Sequence, residues 1–151
     1  MTPSQNPAPI FLDEFCHALD PKNRVTIPAR WRATEADEFV VIADRSNDFL
    51  KVLPEEQFRA VGARVAADPR ITPKERTDFL RKLSSSAKRM VADKQGRVLV
   101  PEELSKTVGL QGDVVLVGAY ESFEIWNPTA WAAKKQADEN SFERVADLIG
   151  L

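Results

Sequence analysis

Short apolar runs broken by turn residues dominate this chain, and they recur in the same order in its two halves. Phe15 to Leu19 and Val25 to Ile27 flank the segment Asp20-Pro21-Lys22-Asn23-Arg24. Met90 to Ala92 and Val98 to Val100 flank Asp93-Lys94-Gln95-Gly96-Arg97. Runs of this length and β-branched content predict strands. Three residues separate each Asp from its Arg, which suits a hairpin loop built on a type I turn that ends in a left-handed residue. Asn23 and Gly96 hold that last place, and both residue types take positive φ at low cost. Pro21 presets the φ needed early in the first turn.

Pro28 and Pro101 close the second strand of each half and suit the first position of a helix. Short helices are therefore predicted over Ala29 to Thr34 and Glu102 to Val108, the latter ended by Gly109. Strand pairs follow, residues 39–42 with 50–53 and residues 114–117 with 123–126. Pro54-Glu55-Glu56 leads a helix carrying Phe58, Val61 and Val65 that ends near Asp68-Pro69. Thr72-Pro73 starts another, with Phe79, Leu80 and Leu83, which Ser84-Ser85-Ser86 is expected to loosen. Trp131, Phe142, Val145, Leu148 and Ile149 predict a helical tail, amphipathic and tryptophan-led, that packs onto its own domain.

The two halves are copies. DPKNRVTIP at 20–28 and DKQGRVLVP at 93–101 lie 73 residues apart, and the same offset returns at Leu50/Phe123, Val52/Ile125, Leu53/Trp126 and Phe58/Trp131. A unit of strand, tip, strand, short helix, strand, strand and helix has been used twice. The division expected is a flexible leader at 1–9, a first repeat at 10–67, a connecting helix at 68–87 and a second repeat at 88–151, together forming one compact domain.

Composition changes the picture little: 43% apolar and 29% charged residues are ordinary for a globular chain of 151 residues. The polar, proline-rich leader has neither the basic start nor the apolar stretch of a signal peptide, and no apolar run approaches membrane-spanning length. The single cysteine, Cys16, has no disulfide partner and cannot make a zinc site, which points to a reducing compartment. Charge matters more. The net charge is only −2, yet Lys22, Arg24, Arg30 and Arg32 gather around the first tip, and Lys88, Arg89, Lys94 and Arg97 around the second. Acid is concentrated elsewhere, so each copy carries its own basic patch.

The doubled D-x-x-x-R-V-x-[I/V]-P motif, with PEEQF after the first unit and SFEIWNPTAW after the second, resembles the MraZ family of bacterial transcriptional regulators, relatives of the AbrB-like swapped-hairpin DNA-binding domains. The likeness runs from about Phe11 to the C-terminus. It implies an α+β fold: a pseudo-two-fold, swapped-hairpin, AbrB-like β-barrel made from two internal repeats, with connecting helices and a C-terminal helix. It further implies a homo-oligomeric, octamer-like ring, cytoplasmic and nucleoid-associated, that binds short direct repeats in double-stranded DNA upstream of the division and cell-wall gene cluster. The motif falls on Asp20 and Arg24, and on Asp93 and Arg97. Two departures stand out. Asn23 replaces the glycine kept at Gly96, and Leu12-Asp13 replaces the family's Arg-Gly pair.

The chemistry of these residues agrees with that implication. An arginine on a hairpin shoulder offers a planar fork of donors to guanine O6 and N7 or to a phosphate, so Arg24 and Arg97 are the leading candidates for DNA contact. Lys22 and Lys94, on the loops, favour phosphates. Asp20 and Asp93 cap their turns and orient the arginines, with Asn23 and Gly96 as supporting turn residues. No catalytic residue, metal, cofactor or small-molecule substrate is expected: His17 stands alone, and Glu55-Glu56 and Glu102-Glu103 suit helix N-termini. The alternative reading is an antitoxin-like or scaffold module holding another protein on the same fold.

Overall fold

The computed structural model describes residues 9–33 and 37–151. The expected leader, apart from Pro9, and the end of the first short helix at Thr34 lie outside them. The chain runs β1 (Glu14–Ala18), β2 (Arg24–Thr26), a 3-10 turn (Ala29–Trp31), β3 (Glu38–Ala43), β4 (Phe49–Pro54), α1 (Glu55–Ala67) and α2 (Pro73–Ser86). The second half continues as β5 (Lys88–Val91), β6 (Arg97–Leu99), α3 (Glu102–Thr107), β7 (Asp113–Gly118), β8 (Phe123–Trp126), α4 (Pro128–Ala137) and α5 (Glu139–Ile149).

Two helix expectations are corrected. The first short helix is a single 3-10 turn, because Arg32 is extended (φ −98°, ψ 127°) and Trp31 turns inward, donating from Nε1 to the Leu12 carbonyl at 2.9 Å. The three serines do not loosen α2. The hydroxyls of Ser85 and Ser86 bond back to the Lys82 carbonyl, and the helix, opened by a Thr72/Glu75 capping box, ends only at Ala87.

Strand exchange defines the architecture. Within a copy only β3 with β4 and β7 with β8 are paired; β1 pairs β7, β5 pairs β3, β2 pairs β6 and β4 pairs β8, all antiparallel. Each tip therefore closes as a turn, but the strands leaving it part and ladder with the other copy instead of with one another. The result is a six-stranded sheet, β1-β7-β8-β4-β3-β5, and a two-stranded ribbon, β2-β6. No ladder joins the edges β1 and β5 among the described residues.

Register exposes the internal two-fold. Val25 lies opposite Val98 and Lys51 opposite Glu124, each pair being one position and its own repeat 73 residues on. The third strand departs from that offset. Phe15 pairs with Leu116 where Lys88 pairs with Val41, so β3 and β7 correspond at 75. The following hairpin restores the offset, with six residues between Ala43 and Leu50 but four between Gly118 and Phe123.

The core lies between ribbon and sheet. Val25, Ile27, Val98 and Val100 are fully buried, together with Val41, Leu116, Phe123 and Ile125. Phe11 joins them, its ring 5.7 Å from Trp31 and nearly perpendicular to it. The segment that brings Phe11 in passes so close to Gly118 that a Cβ there would lie 2.4 Å from the Phe11 carbonyl oxygen. On the sheet's other face, Val115, Val117 and Trp126 pack beneath Trp131 of α4. The expectation that the whole tail packs onto its own domain is corrected at α5. α5 follows α4 after Asp138, and its Phe142, Val145, Leu148 and Ile149 are exposed.

Candidate nucleic-acid interface

Each tip is held by its aspartate in the same way. The Asp20 carbonyl accepts from Asn23 N at 2.9 Å, Oδ1 accepts from Lys22 N and Arg24 N at 2.9 and 2.8 Å, and Oδ2 accepts from Arg24 Nε at 2.7 Å. In the second tip Asp93 takes Gly96 N, Gln95 N, Arg97 N and Arg97 Nε, each at 2.9 Å. Backbone donation from the arginine, then its side chain, holds both carboxyls below the ordinary aspartate value, so they are ionised at neutral pH. Asn23 (φ 62°) and Gly96 (φ 79°) occupy the left-handed place expected of them. Only Nε of each arginine donates to the carboxylate, and Nη1 and Nη2, on side chains about one third exposed, have no hydrogen-bond partner among the described residues.

The β2–β6 ribbon brings the arginines together. Opposite residues of an antiparallel pair share a face, and Val25 and Val98 point into the core. Arg24, Thr26, Arg97 and Leu99 therefore share the outer face, Arg24 opposite Leu99 and Thr26 opposite Arg97. The arginines are diagonal neighbours, Cα atoms about 7–8 Å apart. Further bonds lock the tips across the halves: Ile27 N donates to the Gly96 carbonyl at 2.8 Å and Val100 N to the Asn23 carbonyl at 3.0 Å.

Asn23 does more than tolerate its backbone. Its Nδ2 donates to the Val100 carbonyl at 2.8 Å and to Ser105 Oγ at 3.1 Å. Glycine at 96 answers a different neighbour: a Cβ there would lie 2.3 Å from Arg32 Nη1, so the Arg32 guanidinium fills the space that Asn23 fills on the other side. Arg32 and Ser105 are themselves 73 apart, and the halves have exchanged large and small partners. Reading the offset at 32/105 would have found this pair in the sequence; motif spacing alone did not.

The other basic residues divide. Lys22 and Lys94 are exposed, and neither ammonium has a carboxylate within 4.0 Å among the described residues. They occupy different places in their loops, second in one and first in the other. Arg30 lies over the Phe15 ring and 4.0 Å from Asp13, which takes φ 83° where the resembled family has glycine. Arg89 is engaged by Glu55 and Glu38, at 3.0 and 3.5 Å.

Residues 10–81 and 83–150 each match the family described as "MraZ protein, putative antitoxin-like". The chain belongs to the MraZ family. It carries two MraZ repeats, which meet within α2, and it is a transcriptional regulator of that family rather than an enzyme. The transcriptional regulator MraZ of Natranaerobius thermophilus is 34% identical over 140 residues, covering 93% of this chain and 96% of the relative. MraZ of Heliobacterium modesticaldum is 35% identical over the same shares. MraZ of Mycobacterium ulcerans is 32% identical over 91% of this chain and 95% of its own. Among the described residues no helix is long and apolar enough to cross a membrane.

Proposed function

We propose that this chain is a sequence-specific DNA-binding regulator that acts through the outer face of the β2–β6 ribbon and its two tips. Arg24 and Arg97 contact base edges or phosphates, Lys22 and Lys94 contact phosphates, and Asp20, Asp93, Asn23 and Gly96 hold the tips in place. The observation that carries the reading is the ribbon itself. A two-stranded ribbon fits the major groove of B-DNA, and this one has two arginines on its solvent face with a lysine on each flanking loop. Regulation of transcription by the MraZ relatives agrees with it.

Few contacts per chain mean weak binding, since affinity for DNA comes largely from neutralised phosphates. A ring of subunits, each closed as an AbrB-like double-repeat barrel and set on direct repeats upstream of the division and cell-wall genes, raises the effective concentration of the remaining tips. This places the protein in the cytoplasm, on the nucleoid. The exposed apolar residues of α5 supply a surface where copies meet. A protein partner that co-purifies stoichiometrically without DNA would favour the antitoxin-like or scaffold reading of that surface instead.

The direct test is a gel shift on the DNA immediately upstream of the chain's own gene, with light scattering for mass. Arg24→Ala is expected to weaken binding about 10- to 100-fold, the worth of one good bidentate contact, and to leave fold and assembly intact. Parental affinity in both Arg24→Ala and Arg97→Ala would refute the reading.

A further inference from the structure

The outer face of the ribbon holds two residues that the proposed phosphate and guanine contacts leave unused. Thr26 and Leu99 are the same position of the repeat, 73 residues apart, and each faces an arginine directly across the ribbon. Leu99 is 58% exposed. Strand alternation fixes both outward, because their neighbours Val25 and Val98 are held at the core with almost no exposure. Exposed Leu99 and half-buried Thr26 thus put side-chain methyl groups on the same ribbon face as the two arginines.

Resting on the DNA reading above, we propose that Thr26 and Leu99 are specificity-determining residues that take the 5-methyl group of thymine in the major groove, beside the base held by the facing arginine. The chemistry is complementary. Thymine is the one base that shows a methyl group in that groove, and side-chain methyls are its natural contact, while the arginine fork suits the O6 and N7 of guanine. Spacing agrees as well: the diagonal between the arginines is about two base-pair rises of 3.4 Å. One ribbon therefore reads guanine and thymine side by side, twice.

The test uses the full-length chain and duplexes of the DNA upstream of its own gene, in which thymines are replaced singly by deoxyuridine, so that only the methyl is removed. Parent, Leu99→Ala and Thr26→Ser are compared by fluorescence anisotropy over a salt series. The parent is expected to lose about fourfold at particular thymines, the worth of one buried methyl. Leu99→Ala should lose that sensitivity at one thymine and Thr26→Ser at another, both with the parental salt slope. Indifference of the parent to every methyl, or retention of its pattern in both variants, overturns the assignment while salt-dependent binding to the duplex stands. Absence of salt-dependent binding by the parent overturns the DNA reading and this assignment with it. Thermal melting within a few degrees of the parent confirms that the variants are folded, as expected for changes on an exposed face.

Discussion

The arginines of the two tips are held in place by the turns that carry them. Asp20 and Asp93 each hold the guanidinium by Nε alone, which fixes its direction and leaves its far end without a hydrogen-bond partner among the described residues. That much was legible in the D-x-x-x-R spacing, because a three-residue loop can be closed in few ways. The packing behind the second tip was not, since Arg32 reaches Gly96 through an extended turn that no local pattern announces. Gly96→Ala should therefore be destabilising twice over: a side chain at φ 79° costs about 1–2 kcal/mol, and its Cβ also displaces the Arg32 guanidinium. In an Arg32→Ala background only the first cost remains. Denaturant melts of the two single variants and the double variant are expected to show coupling between them, whereas strict additivity would contradict the contact.

Strands and helices were the most readable level, yet their partners were not. Alternation tells which face of a strand is buried; it is silent on which strand lies beside it, so β1 and β2 read as neighbours when each belongs to the other half's ladder. The pairing of β4 with β8 has a consequence for pH. Glu124 stands opposite Lys51 and accepts from Trp126 Nε1 at 2.9 Å, but burial outweighs both and raises its carboxyl above the ordinary value. The folded chain then holds that proton more tightly than the unfolded one. Stability falls as pH rises from the ordinary glutamate value through the raised one, and the loss persists at neutrality. Glu124→Gln keeps an acceptor for Trp126 and removes the charge, so its melting temperature should exceed the parent's at pH 7 and match it near pH 4. A variant less stable than the parent at pH 7 would show that the Lys51 attraction dominates.

At the scale of the whole molecule, duplication was plain in the sequence and interdependence was not. Neither half closes by itself: β1 joins the second copy's strand pair, β5 joins the first copy's, and β2 and β6 pair only with each other. Residues 10–87 expressed alone should be unfolded, or should pair with a second identical fragment in place of the missing half. Circular dichroism with sedimentation would decide, and a cooperatively folded monomer of that fragment would count against the exchange. The helical tail shows the same limit of sequence reading. Its apolar spacing identified a helix but not what the apolar side meets, and α5 leaves it uncovered.

The local two-fold through Val25 and Val98 makes the ribbon almost a palindrome, while the direct repeats proposed as its target have a direction. A truly symmetric reading head would dock on each repeat in either sense. Thr26 against Leu99, and Pro21-Lys22 against Lys94-Gln95, are the places where the symmetry fails on the exposed side. On the DNA reading proposed above, these mismatched residues would give each docked chain a front and a back, so that copies set on successive direct repeats would all face the same way.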